Sequence, residues 1–128
     1  MHFEKVTKML SNALWRKGIE INEVIKGAEN SALVVGVFIY NGNQIGYARV
    51  ISDKTRFAYI LDVYVDENFR RNGIGLKMIN YKLNYEELKD VYQWLLITND
   101  AHGVYSKVGF NPVSHPLNWR DIRKNRPR

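Results

Sequence analysis

The run from Arg56 to Thr98 constrains this chain more than any other part of it. "RFAYILDVYVD" (56–66) is dense in β-branched and aromatic residues and reads as a strand. "GIGLKMINYKLNY" (73–85) places Leu76, Ile79 and Leu83 at helical spacing, and "YQWLLIT" (92–98) is strand-like again. A strand, a helix of about three turns and a second strand make a βαβ crossover, so these two strands are expected to lie parallel.

The flanks supply the rest of the fold. In "VTKMLSNALW", Val6, Met9, Leu10, Ala13 and Leu14 follow a helical period, and "INEVIKGAENS" continues it, so two short helices are expected to join near Gly18. "ALVVGVFIY" and "QIGYARVIS" surround "NGN", the signature of a hairpin. Downstream, "NDAHGVYSKVG" spaces Ala101, Val104, Tyr105 and Val108 along one helix face, with Asn99 or Asp100 as cap and Gly109 as terminator. The expected class is α+β: a mixed, mostly antiparallel sheet with a central parallel strand pair and flanking helices. With 128 residues, 45% hydrophobic and 25% charged, the chain fits a single domain, 1–128.

Composition narrows the chemistry. No cysteine is present, which excludes disulfides, thiolate metal sites and a covalent intermediate on a protein thiol. His2, His102 and His115 show no paired ligand spacing, so no metal is expected. No apolar run approaches the roughly 20 residues of a membrane span, and the first ten residues lack a signal-peptide pattern, so a soluble cytoplasmic protein with no membrane partner is expected. The net charge of +6 is concentrated in the basic tail, 120–128, where five Lys/Arg face one Asp. Such a tail reads as a solvated end rather than a nucleic-acid contact. Trp15, Trp94 and Trp119 occur singly in apolar contexts and read as core or interface aromatics.

The loop "ENFRRNGIGLKM" (67–78) joins the strand to the crossover helix. The first N–H groups of a helix lack intrahelical acceptors and carry the positive end of the helix dipole, a suitable place for an anion. Gly73 and Gly75 would let a pyrophosphate approach the backbone, and Arg70 and Arg71 add positive charge. Spacing alone equally permits a plain turn with solvated arginines. The loop is not a Walker A motif and lacks the third glycine of a dinucleotide fingerprint.

Arg70-x-x-Gly73-x-Gly75, after "LDVYVDENF" and before an amphipathic helix, resembles the acetyl-CoA signature of the GCN5-related N-acetyltransferases (GNAT). "AHGVYSKVGF" resembles that family's later segment through Ala101, Tyr105, Gly109 and Phe110, and the likeness extends over about residues 20–112. It implies transfer of an acetyl group from acetyl-CoA, as co-substrate, to a primary amine of a small molecule or peptide. Val63 and Val65 would pair with the pantetheine through their backbones, and an N–H near Val63 would serve the oxyanion. Residues Arg70, Arg71, Asn72, Gly73, Ile74 and Gly75 would hold the diphosphate. Thr98 stands where the family usually has asparagine, with Asn99 next to it, and either would reach the pantetheine arm.

In the same resemblance Tyr105 matches the general acid that protonates the departing CoA thiolate. For the base, Asp62 lies on the strand beside the thioester, one place after the family's acidic position, here Leu61. Asp100, His102 or a water chain are alternatives. Without cysteine, direct attack in a ternary complex is expected. Two other functions compete: a non-catalytic CoA-responsive binding module, and a nucleic-acid binder driven by the basic tail. Family members often dimerise, so a homodimer is open, and nothing in the sequence selects the amine.

Overall fold

The computed structural model describes residues 1–12, 18–98 and 102–125. The chain forms two compact units, Met1–Thr98 and Asn99–Arg128. The first unit opens with α1 (Phe3–Ser11) and α2 (Ile21–Glu29), followed by β1 (Leu33–Phe38), β2 (Gln44–Ser52), β3 (Phe57–Val65), α3 (Ile74–Leu83) and β4 (Gln93–Leu95). The sheet order is β1-β2-β3-β4, antiparallel except for the parallel pair β3–β4. The predicted hairpin and crossover are therefore present, and the class is the expected α+β.

Helices α1 and α2 bury Val6, Met9, Leu10 and Val24 around Tyr47 of β2, with Val34 and Tyr64 packed at the margin. Full burial of a side chain of this kind is worth about 1.5–3 kcal/mol, which is what holds two nine-residue helices too short to stand alone. The predicted Ala13 and Leu14 lie outside the described residues. The N-terminus is tied to the sheet by Gln44, fully buried, whose Oε1 accepts from His2 N–H at 2.9 Å and whose Nε2 donates to the Gly46 carbonyl. An amide with both ends satisfied in this way can be buried at little cost.

The buried face of α3 differs from the predicted one. Met78, Ile79 and Lys82 are buried, whereas Leu76 and Leu83 are half-buried. The helix is rotated so that the four-carbon stem of Lys82 serves as apolar filling. Its Nζ has no hydrogen-bond partner among the described residues, and burial lowers its pKa from 10.5 to about 8.

The second unit contains α4 (His102–Ser106), which ends two residues before Val108, earlier than the helix read as running up to Gly109. Val104, expected on the apolar face, is 42% exposed. Gly109 adopts φ +101°, and Phe110 N–H reaches back to the Tyr105 carbonyl, closing the helix as predicted. Tyr105 stacks edge-on against Phe110 at 5.9 Å between ring centroids, so its ring packs on its own terminating turn. In the tail, Arg120 donates to the Leu117 carbonyl and Arg123 pairs with Asp121, both exposed. Trp119, expected as a core or interface aromatic, is 48% exposed.

Candidate functional site

Among the described residues, strands β3 and β4 pair only through Phe57–Gln93, Ala58–Trp94 and Tyr59–Leu95. Beyond Tyr59, β3 continues for six more residues on β2 alone. Asp66 donates its N–H to the Ile45 carbonyl of β2, so by the alternation of a strand the peptide groups of Val65 turn the other way, and those of Val63 with them. Among the described residues the β4-facing backbone of Val63 and Val65 thus has no strand partner, the Val65 carbonyl being met by the Arg70 side chain, just where an extended amide chain would need partners.

A bulge helps to produce this parting. Tyr47 pairs with Tyr64 and Arg49 with Leu61, leaving Asp62 and Val63 together opposite Ala48. Asp62 takes φ +56°, a left-handed conformation that costs a non-glycine residue of order 1 kcal/mol. It is held by Arg49, whose Nε donates to Asp62 Oδ2 at 2.7 Å, with side-chain exposures of 17% and 8% respectively. Tyr47, two residues before Arg49 on β2, is fully buried, and its hydroxyl has no partner among the described residues. Burial, opposed by Arg49 and reinforced by Asp62, pushes the phenol up to about 12.

The loop after β3 begins with Asp66, which caps a turn over Glu67–Phe69 by accepting from Asn68 N–H at 3.0 Å. Arg71 (φ +68°) and Gly73 (φ +75°) are both left-handed, and Asn72 Nδ2 ties the loop to the Phe69 carbonyl. Only at Lys77 does an N–H of α3 return to the Gly73 carbonyl, so those of Ile74, Gly75 and Leu76 point out of the helix end without an intrahelical acceptor. No acidic residue offsets the dipole in this first turn. A Cβ added at Gly73 or Gly75 would meet nothing within 4 Å. These amides, the two glycines and a backbone that alternates in hand make a cradle fit for a diphosphate.

The Arg70 side chain reaches back to the strand. Its Nε donates to the Val65 carbonyl at 2.9 Å, and the guanidinium lies 5.2 Å from the centre of the Tyr64 ring. Arg70 therefore braces the end of β3. Tyr64 in turn accepts from Asn12 at 3.4 Å, linking this end of the strand to α1.

Residues 31–112 match the acetyltransferase (GNAT) domain family. The chain belongs to the GNAT acetyltransferases. Among solved structures, a Xanthomonas campestris protein assigned to the GNAT family is 30% identical, with a TM-score of 0.90, covering 97% of this chain and 87% of its own. A predicted acetyltransferase from Clostridium acetobutylicum, solved with acetyl-CoA, shares the fold at 18% identity, TM-score 0.69, covering 94% and 89% of the two chains. The human cysteine-rich protein 2-binding protein is 27% identical over 121 residues, 94% of this chain; the chain spans 15% of that protein's length.

Seen as a GNAT domain, the first unit brings together Asp62, Val63, Val65 and the 70–75 loop at the C-terminal end of β3. Thr98, half-buried, lies three residues past β4. Tyr105 belongs to the second unit, and Asn99, Asp100, Ala101 and Trp15 lie outside the described residues. A shallow groove of about 550 Å³ between β1 and α3, lined by Val35, Val37, Met78 and Tyr81, shares only Ile74 with the cradle and none of the bulge. Among the described residues no cluster of His, Asp or Glu could hold a metal, and no helix is long and apolar enough to cross a membrane. Sequence reasoning missed Arg49. An isolated arginine in "QIGYARVIS", amid apolar residues of a strand, was the available signal.

Proposed function

We propose that the chain transfers an acetyl group from acetyl-CoA to a primary amine by direct attack in a ternary complex. The observation that supports this best is the combination of a stretch of β3 with no further strand beside it among the described residues and an uncompensated helix terminus, whose cap Gly73 lies eight residues past Val65. The Val63 and Val65 peptide groups receive the pantetheine amides as a further strand would. The N–H groups of residues 70–75 receive the diphosphate, with Arg71 adding charge. Thr98 or Asn99 serves the pantetheine arm.

The amine nitrogen attacks the thioester carbonyl carbon. The carbonyl oxygen gains negative charge, for which the Val63 N–H is a donor. Collapse breaks the C–S bond, and Tyr105, as in the Ala101-x-x-x-Tyr105-x-x-x-Gly109-Phe110 pattern, gives its proton to the thiolate. Asp62 takes the proton that the amine must lose. A single domain in the cytoplasm, acting without a metal and independently of nucleic acid, accounts for the sequence.

Measuring CoA release with a panel of amines tests the reading. Release that depends on both substrates, with initial-rate lines that intersect, is the expected result. Parallel lines would contradict the ternary complex, and acetyl-CoA binding without release for any amine would leave a CoA-binding module.

A further inference from the structure

Arg49 joins three elements. Its Nε holds Asp62 Oδ2 on the β3 bulge at 2.7 Å, while Nη1 donates to the Gly27 carbonyl of α2 at 3.3 Å and to Ser31 Oγ at 3.4 Å. The guanidinium lies directly on the helix: a Cβ at Gly27 would come within 3.2 Å of Arg49 Cζ and 3.4 Å of both terminal nitrogens. Glycine inside a helix costs about 1 kcal/mol relative to alanine. Here it opens the space the arginine fills. Each end of the arrangement carries a local cost, a glycine in α2 and a left-handed aspartate in β3, and the same guanidinium spans both.

We propose that Arg49 is a positioning residue for acyl transfer: by clamping Asp62 to α2 it fixes the bulge, and with it the direction of the Asp62 carboxylate and of the Val63 N–H. This rests on the reaction proposed above. A planar guanidinium reaching a carboxylate, a backbone carbonyl and a hydroxyl at once sets an orientation that a flexible ammonium does not. Groups placed loosely by an ångström lose much of their rate advantage. The diphosphate cradle lies on a different segment, so cofactor binding, which touches the bulge only through the Val63 peptide group, should weaken far less than turnover.

The test is a double-mutant cycle of Arg49→Met and Asp62→Asn, with Arg49→Lys alongside. In the Asp62 background, Arg49→Met is expected to lower kcat by about tenfold or more, with acetyl-CoA affinity within about threefold of the parent. In the Asp62→Asn background it should lower kcat by less than about twofold, because its route of action is already cut. Arg49→Lys should recover part of the loss. Equal losses in both backgrounds, or none in either, overturn the inference. Hydrogen exchange across residues 60–66 gives a reading independent of turnover. Faster exchange in Arg49→Met, whether or not an accepting amine is found, supports the clamp even if the proposed reaction fails. Unchanged exchange removes it.

Discussion

Gly27 and Arg49 touch so closely that a methyl group on the glycine would have to push the guanidinium aside, its Cβ falling 3.2 Å from Arg49 Cζ. Gly27→Ala therefore sets two effects against each other. Helix propensity gains about 1 kcal/mol, and crowding of the guanidinium takes a similar amount back. The expected outcome is a melting temperature within a few degrees of the parent, by calorimetry, together with a fall in turnover of several-fold.

Gly75 offers a cleaner separation of stability from binding. It lies in the first turn of α3 with open space where a side chain would project, and its backbone is not in the left-handed region. Gly75→Val should leave the melting temperature of the unliganded protein nearly unchanged. If the cradle takes the diphosphate, acetyl-CoA affinity should weaken by about tenfold or more, read by titration calorimetry. Equal affinity in the two proteins would argue against that use.

Tyr105→Phe keeps the ring that packs edge-on against Phe110 and removes only the hydroxyl. Turnover should fall by about two orders of magnitude, as for the loss of a general acid, while acetyl-CoA affinity stays near the parent value. Stopped-flow measurement of CoA release checks the first and equilibrium titration the second.

Lys82 makes stability depend on alkaline pH. Its folded pKa, about 8, lies below the ordinary 10.5, so between these values the unfolded chain binds more proton and folding stability rises with pH. Below pH 8 the folded chain carries the full burden of a buried, unpartnered ammonium. Lys82→Met should stabilise at pH 7 by on the order of 2 kcal/mol. The gain should shrink through the window from about 8 to 10.5, as urea melts at a series of pH values would show. A variant less stable than the parent at pH 7 would mean that the ammonium has a role in the fold.

The architecture was readable because each element carried a local signal strong enough to stand alone. The "NGN" hairpin, the β-branched run before Asp66 and the glycines before α3 all act through the backbone, and the backbone obeys nearest-neighbour rules. What could not be read were the features set by tertiary contact. Lys82 has the charge of a surface residue, and only the packing of α3 on the sheet reveals its stem as core. Arg49 and Asp62 are thirteen positions apart, and their meeting depends on a bulge that shifts the register by one residue. Asp62 was legible, through the family resemblance, as an acid on the strand beside the thioester, but its guanidinium partner and left-handed backbone belong to the folded sheet. Likewise Arg70 was legible as charge near the loop, but not as a brace on Val65.

Strand β1 borders the sheet along Leu33–Phe38, six residues with neither a charge nor a proline. Natural borders of this kind are usually guarded by lysine, proline or a covering segment, because exposed strand backbone recruits further strands. The only irregularity here is the slip against β2 between Val37 and Phe38. Preparations of this unit should accordingly meet a solubility ceiling set by that rim, and the first remedy to try at the bench is a positive charge at Phe38, well away from the bulge.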